Sequence, residues 1–272
     1  MVKEINQLEK LTKQEWDYLL VLDACRYDYF KKLYKDFFKE GKLEKVNSPA
    51  SETSEWAKKA FSGCFNDIVY LSANPRINSK VEVKGFKANK HFHKVIDIWN
   101  HGWNQKLGTV HPKTVNESLK RAILAWNNSK KFIAHYIQPH EPYIEVEKTG
   151  DKSVGVASLL PRKFRMSIGR TIRDYLSPNI YNLVSNTFGL DYSSSLRLKD
   201  AKEKGTDFLK TCYVKNLKIA LAELTKLLNE SSEKIVITAD HGEYLGECNK
   251  YGHPPGEESP HVREVPWFES FN

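Results

Sequence analysis

The fold is decided by a short, almost wholly apolar run that ends in polar residues, Lys234-Ile-Val-Ile-Thr-Ala-Asp-His241. A strand that is apolar on both faces is typical of a parallel sheet covered by helices on each side. A second run, Tyr18-Leu-Leu-Val-Leu-Asp23, has the same form and also ends in a carboxylate. Both runs therefore predict buried strands whose carboxyl ends carry polar side chains.

The segments around these two runs alternate between strand-like and helix-like patterns. Amphipathic spacing predicts helices at 27–40, 52–61, 114–127 and 211–229. Apolar runs predict strands at 67–72 and 131–137. Strands that alternate with helices predict an α/β fold with three layers, α/β/α, and a mostly parallel central sheet.

Polar residues follow three of the predicted strands. The strand ends carry Asp23, Gln138 to His140, and Asp240 with His241. In open α/β sheets, ligands bind at the carboxyl ends of the strands. We therefore expect the functional site at this edge of the sheet.

The chain of 272 residues is long enough for one large α/β domain that spans 1–272. Residues 150–210 differ from the rest, because Gly, Ser, Pro and Asn are frequent there, and we interpret them as an inserted lid or cap. Within this insertion, a predicted helix gathers Arg and Lys on one face over 162–173. A solvated helix face is the simpler interpretation, and contact of that face with a membrane surface or a glycan is the alternative.

The formal net charge of +8 is distributed unevenly. Residues 1–150 and 151–218 each carry a net charge of +7, whereas residues 219–272 carry −6. An acidic segment around Asp240 favours a bound cation, and the basic remainder favours an anionic substrate. The basic excess also permits nucleic-acid binding, but no zinc-finger, RNA-recognition or helix-turn-helix signature is present, so no specific nucleic acid is expected.

The expected location is the cytoplasm. No apolar run approaches the roughly 18–20 residues of a membrane span, and the first residues have no apolar signal core. The four cysteines are widely spaced and form no Cys-x-x-Cys pair. A disulfide framework and a cysteine zinc site are therefore both disfavoured.

Two strand ends carry candidate metal ligands. Asp240 and His241 are adjacent, and a carboxylate and an imidazole can bind the same divalent cation. Asp23 is a second strand-end carboxylate, whose charge is costly to bury unless it is paired or bound to a metal. For both aspartates the alternative is a helix N-cap, with a helix that starts near Gly242 in the case of Asp240.

Hydroxyl groups are concentrated just before the predicted helix at 52–61, where Ser51, Thr53 and Ser54 occur within four positions. A hydroxyl there either caps the helix or lies where free N–H groups stabilise a phosphate. Beside a metal, such a hydroxyl becomes a nucleophile. The segment leaves both interpretations open.

Two histidines lie in turns that contain proline. His140 occurs in Gln138-Pro-His-Glu-Pro142, and His253 precedes Pro254 and Pro255. A rigid turn fixes the direction of the imidazole, which can then stabilise a phosphoryl oxygen or protonate a leaving group.

These motifs, in this order, resemble the alkaline phosphatase superfamily in its sulfatase-like branch. The resemblance spans nearly the whole chain and is carried by Val21 to Asp28, Ser48 to Trp56, Tyr136 to Tyr143, Tyr213 to Leu228, Ile235 to Glu247 and Val265 to Trp267. It implies the three-layer fold and an enzyme that hydrolyses or transfers phosphate esters, as diesters or monoesters.

The resemblance also implies individual roles. Asp23, Thr53, Asp240 and His241 would hold one divalent metal ion, either zinc, manganese or calcium. Thr53 would be the nucleophile that attacks phosphorus, with Ser51 as the alternative. His140 and His253 would contact substrate oxygens or the leaving group, and Arg26 would bind the substrate.

The chain departs from the family in ways that define the alternatives. Sulfatases carry a Cys- or Ser-x-Pro-Ser-Arg stretch whose first residue is oxidised to formylglycine, and this sequence has no such stretch. Hydrolysis of sulfuric esters is therefore the weaker enzyme hypothesis. The other alternative is a catalytically degenerate relative that binds an anionic glycan or lipid precursor.

Overall fold

A computed structural model of the protein describes residues 5–104, 107–126, 130–144 and 204–271. Most of the predicted insertion at 150–210, including the basic helix at 162–173, lies outside these residues. The end of that range belongs to a long helix that begins at Thr206, five residues earlier than the predicted start at 211. Among the described helices, none has the length and apolar character needed to cross a bilayer.

The described chain contains seven strands that form one sheet. They are β1 (Tyr18–Leu22), β2 (Lys42–Asn47), β3 (Phe65–Ser72), β4 (Phe92–Asp97), β5 (Lys131–Tyr136), β6 (Ile235–Ala239) and β7 (Glu264–Glu269). Their order across the sheet is β2-β7-β6-β1-β5-β3-β4. β7 runs antiparallel to its neighbours β2 and β6, and the pairs β6–β1, β1–β5, β5–β3 and β3–β4 are parallel.

Helices flank this sheet. They are α1 (Gln7–Lys13), α2 (Tyr27–Phe37), α3 (Thr53–Ala60), α4 (Ile98–His101), α5 (Pro112–Trp126), α6 (Thr206–Asn229) and α7 (Pro260–Arg263). α6 packs against α2 and α5, and α1 packs against α3. The predicted α/β architecture with a mostly parallel central sheet is therefore confirmed.

Burial follows the apolar pattern of the sequence. Every residue of β1 and β6 is buried, as expected for central strands of a sheet covered on both faces. Each fully buried Leu, Ile or Val side chain in these strands contributes about 1.5–3 kcal/mol to folding. β4 and β7 were not predicted, because β4 is a half-exposed edge strand and β7 contains Pro266.

The register of the central strands aligns their carboxyl ends. Leu22, the last residue of β1, pairs with Tyr136 of β5 and with Ala239 of β6. The residues that follow these three strands therefore leave the sheet at the same level. This alignment places the next residues of β1 and β6, Asp23 and Asp240, beside each other.

Candidate active site

The two strand-end aspartates and His241 form one buried cluster. Asp240 and His241 are fully buried, and Asp23 is 4% exposed. One ligand atom from each of the three lies within 4.8 Å of the others. His241 Nε2 is 3.4 Å from Asp240 Oδ2 and 3.7 Å from Asp23 Oδ1. Among the described residues, this is the one group of three acidic or histidine side chains with such spacing.

Backbone amides orient the carboxylate of Asp240. Its Oδ1 accepts hydrogen bonds from the amides of His241, at 2.9 Å, and of Ala24, at 3.1 Å. The Ser48 hydroxyl donates to the carbonyl oxygen of Asp240. With Oδ1 and the main chain held in this way, Oδ2 is the oxygen that faces the cluster.

Thr53 joins the cluster from the first turn of α3. Its hydroxyl donates to Asp240 Oδ2 at 2.7 Å and lies 3.5 Å from His241 Nε2. Ser51 lies outside this group, because its hydroxyl donates to the carbonyl of Pro254 at 2.9 Å. The structure therefore brings Thr53, rather than Ser51, to the predicted metal ligands.

The helix-capping interpretations are wrong for all of these residues. No helix begins near Gly242, because Asp240 leads into residues 241–243 without secondary structure and then into the short strand Tyr244–Leu245. The N-caps of α2 and α3 are Arg26 and Glu52, and neither helix has a side-chain cap hydrogen bond. Asp23, Thr53 and Asp240 are consequently buried for some purpose other than capping.

Asn74 is a further member of the site that the sequence did not single out. Its side-chain amide donates to Asp23 Oδ2 at 2.7 Å and lies 3.3 Å from the Thr53 hydroxyl oxygen. Its Oδ1 accepts from the Arg76 amide at 2.9 Å, which identifies the end that carries the NH₂ group. The available signal was its position, since Asn74 follows the end of β3 in the same way that Asp23 follows β1.

The cluster fits a divalent cation. Asp23 Oδ1 is buried and accepts no hydrogen bond from the described residues. Burial and the nearby carboxylates of Asp240 and Glu243 raise the pKa of Asp23. Burial opposes ionisation of Asp240 as well, but the imidazoles of His241 and His135 and the Thr53 hydroxyl lower its pKa. Two close buried carboxylates are costly without a compensating positive charge, and a bound cation supplies one.

His140 and His253 form a partly buried pair over the cluster. Their Nε2 atoms are 3.3 Å apart, and the ring of His253 lies 4.2 Å, centroid to centroid, from the ring of His241. Each Nδ1 faces a backbone carbonyl, that of Glu141 for His140 and that of Ser51 for His253. With each Nδ1 placed in this way, the two Nε2 atoms face each other.

Arg26 is bound within the protein. Its buried guanidinium donates to both carboxylate oxygens of Asp28, at 3.0 and 2.8 Å, and to Glu247 Oε1 at 2.7 Å. It also donates to the Glu243 carbonyl at 3.3 Å. Arg26 thus links the turn after β1 to the loop after β6. The predicted contact between Arg26 and a substrate stays a prediction.

Close packing explains the glycine that follows His241. The Gly242 amide donates to the Val262 carbonyl at 2.7 Å, which holds the ligand loop against α7. A Cβ atom at this position would lie 2.4 Å from the backbone oxygen of His261. Only glycine permits this approach without displacing the main chain that carries Asp240 and His241.

Solved structures with the same fold are known. One is the soluble domain of lipooligosaccharide phosphoethanolamine transferase A from Neisseria meningitidis, which is 14% identical in sequence. The match covers 92% of this chain and 75% of that domain, with a TM-score of 0.51. Another is the C-terminal periplasmic domain of EcEptC from Escherichia coli in complex with Zn, which is 10% identical in sequence. The match covers 96% of this chain and 74% of that domain, with a TM-score of 0.52.

These structures share the α/β fold with a mostly parallel central sheet that the motifs indicated. Identities of 10% and 14% support the shared fold and do not by themselves transfer an activity. No protein-family model and no curated protein matches the chain.

Proposed function

We propose that this protein is a metal-dependent enzyme that acts on phosphate esters, with Thr53 as its nucleophile. The observation that carries the proposal is the position of the Thr53 hydroxyl, which is hydrogen-bonded to Asp240 Oδ2 within the buried Asp23–Asp240–His241 cluster. A hydroxyl held against such a cluster is suited to activation by a cation.

One divalent ion would have three oxygen ligands and one nitrogen ligand at this site, from Asp23, Thr53, Asp240 and His241. This donor set is compatible with zinc, and its oxygens also suit manganese or calcium. When bound, the ion lowers the pKa of the Thr53 hydroxyl and offsets charge on the reacting phosphoryl group. The description of EcEptC in complex with Zn makes zinc the first ion to test here.

The other residues act on the substrate and the nucleophile. Thr53 gives up its hydroxyl proton to water, its oxygen forms the new bond to phosphorus, the bond from phosphorus to the leaving oxygen breaks, and Thr53 becomes a phosphothreonine. Asn74 Nδ2 lies 3.3 Å from the Thr53 oxygen, where it can donate to an oxygen of the phosphoryl group. His140 or His253 supplies a proton to the leaving oxygen.

A phosphate ester is favoured over a sulfate ester for two reasons. The sequence lacks the stretch that gives sulfatases their formylglycine. The similar solved structure from N. meningitidis belongs to a protein named a phosphoethanolamine transferase. The phosphothreonine is then either hydrolysed by water or passed to an acceptor alcohol, and an acceptor added to the assay separates these two outcomes.

The test compares Thr53→Ala with Ser51→Ala, a neighbouring hydroxyl that lies outside the cluster. Both variants are assayed with zinc, manganese or calcium on bis(p-nitrophenyl) phosphate and p-nitrophenyl phosphate. We expect Thr53→Ala to lose at least about 10³-fold in kcat, since a nucleophile is removed, and Ser51→Ala to retain the activity of the wild type.

Two results would overturn the proposal. One is the absence of activity on every phosphate ester tested with metal-loaded wild-type protein. The other is a Thr53→Ala variant that is as active as the wild type. Equal losses in Thr53→Ala and Ser51→Ala would contradict the choice of Thr53 as nucleophile.

A further inference from the structure

A buried histidine lies behind the candidate metal cluster. His135 is fully buried in β5, between β1 and β3. No sequence motif singles out His135, because its neighbours across the sheet depend on a strand order that differs from the chain order. An imidazole is costly to bury without partners, so its contacts require an explanation.

The contacts of His135 connect a tyrosine to a predicted metal ligand. The Tyr70 hydroxyl oxygen is 2.8 Å from His135 Nδ1. His135 Nε2 is 3.6 Å from Asp240 Oδ2, the oxygen that also accepts from Thr53. Nε2 forms no hydrogen bond with any described residue, so Asp240 is the acidic group that it faces.

These positions fix the arrangement of protons on His135. A lone pair on Nε2 would lie 3.6 Å from a carboxylate oxygen, which is repulsive, so we place a proton on Nε2. With that proton on Nε2, Nδ1 accepts a hydrogen bond from the Tyr70 hydroxyl. Tyr70 is fully buried, and this burial raises the pKa of its hydroxyl, which therefore keeps the proton that it donates.

We infer that Tyr70 and His135 are positioning residues for the metal ligand Asp240, whose Oδ2 atom His135 contacts from β5. The inference rests on the metal centre proposed above. At 3.6 Å the contact between His135 and Asp240 is electrostatic rather than a full hydrogen bond. Partners of this kind behind a ligand typically change metal affinity by 10- to 100-fold.

The experiment measures zinc affinity in the absence of any ester, by competition with a chromophoric zinc chelator. Tyr70→Phe removes the hydroxyl that donates to Nδ1, which is one of the two polar contacts that hold the imidazole of His135 in place. We expect zinc affinity to fall by about 10-fold or more. Cobalt substituted for zinc should show a shifted visible absorption band, because the position of Asp240 changes.

Tyr136→Phe is the matched control. Tyr136 is also fully buried, is the next residue after His135, and donates its hydroxyl to Asn116 Oδ1 at 2.7 Å. Each variant loses one hydroxyl oxygen from a fully buried tyrosine. Tyr136→Phe should nevertheless keep the zinc affinity and the cobalt spectrum of the wild type. A thermal unfolding curve with excess chelator shows whether each variant is folded.

A second variant keeps the test informative if Tyr70→Phe folds poorly. His135→Gln retains a donor near Asp240, whereas His135→Leu removes it, so zinc affinity should be lower in His135→Leu than in His135→Gln. The inference is overturned if Tyr70→Phe binds zinc with an affinity within about twofold of the wild type, or if both Tyr→Phe variants weaken zinc binding equally.

Wild-type protein that binds no zinc, manganese or calcium would overturn the metal centre and this inference together. Binding without ester cleavage would overturn the proposed function alone.

Discussion

The buried cluster and the histidine pair above it are held by different parts of the fold. Asp23 and Asp240 leave the sheet at adjacent strand ends, and backbone amides bind Asp240 Oδ1. His140 and His253 are partly buried, lie on loops and are oriented by carbonyl oxygens at Nδ1. The first group is placed by the register of the sheet and the second by contacts between loops and helices.

This difference corresponds to two tasks. A cation requires several ligands at fixed distances, and strand ends provide them because the register aligns them. A substrate requires groups that it can reach from solvent, and loops provide these. We therefore expect damage to the buried cluster to remove both metal and activity, and damage to the histidine pair to remove activity alone.

The largest expected effect is that of Asp240→Asn. This change keeps the size of the side chain but removes the charge that the cation requires. Bound zinc, measured by elemental analysis, should fall to background, and kcat on bis(p-nitrophenyl) phosphate should fall by at least about 10³-fold. The comparison between the two groups fails if the variant keeps its zinc.

Asp97→Asn is the control for this change. Asp97 also ends a strand, β4, but its carboxylate accepts from the amide and the hydroxyl of Ser79, at 2.9 and 2.7 Å. It lies outside the candidate metal cluster. Zinc content and kcat should stay at the wild-type values, which would show that a strand-end aspartate matters only at the aligned central strands.

The histidine pair should give a smaller and more selective effect. In His140→Ala or His253→Ala, the cluster of Asp23, Asp240 and His241 is intact, so zinc content should equal that of the wild type. Activity should fall by about 10²-fold, the lower end for loss of a general acid. The loss should be greater for an ester with an alkoxide leaving group than for a nitrophenyl ester, since alkoxides need the proton more. Loss of zinc in either variant would mean that the two groups form a single metal site.

The sequence predicted the buried cluster because strand ends can be recognised along the chain. Apolar runs identify β1 and β6, and a parallel arrangement brings their carboxyl ends to the same edge of the sheet. The grouping of Asp23, Asp240 and His241 around one metal ion follows from the family resemblance. Asn74 follows β3 in the same way, but an asparagine after a strand is common in turns and gave no chemical signal of its own.

The supporting residues could not be predicted, because their partners are distant in the chain. His135 meets Tyr70 only because β5 lies beside β3. Gln7 of α1 donates to Thr238 and to the Ala239 carbonyl at the end of β6, through contacts that span more than 230 residues. Hydrophobic period and motif spacing report on neighbours in sequence, whereas these hydrogen bonds depend on the order of strands and the packing of helices.

The smallest expected effect tests how the histidine pair is held. Asn216 of α6 is fully buried, and its side-chain NH₂ group lies 3.1–3.3 Å from the carbonyls of Pro139, His140 and Pro142. Its Oδ1 accepts from the Ile144 amide at 2.9 Å. One side chain thus binds both sides of the turn that carries His140.

Asn216→Ser should release this turn while leaving both the imidazole and the buried cluster in place. We expect kcat to fall by about 10-fold through misplacement of His140, with zinc content unchanged and with the free energy of unfolding lower by about 1–3 kcal/mol. Asn116→Ser is the matched control, because Asn116 is also buried and bonded at both ends, to the Glu223 carbonyl and to Tyr136. It should lose comparable stability and keep its kcat.

If both variants lose kcat in proportion to their loss of stability, the bonds of Asn216 to the turn have no specific effect on catalysis. If Asn216→Ser loses kcat alone, and the double variant Asn216→Ser/His140→Ala is no worse than His140→Ala, then Asn216 acts through His140.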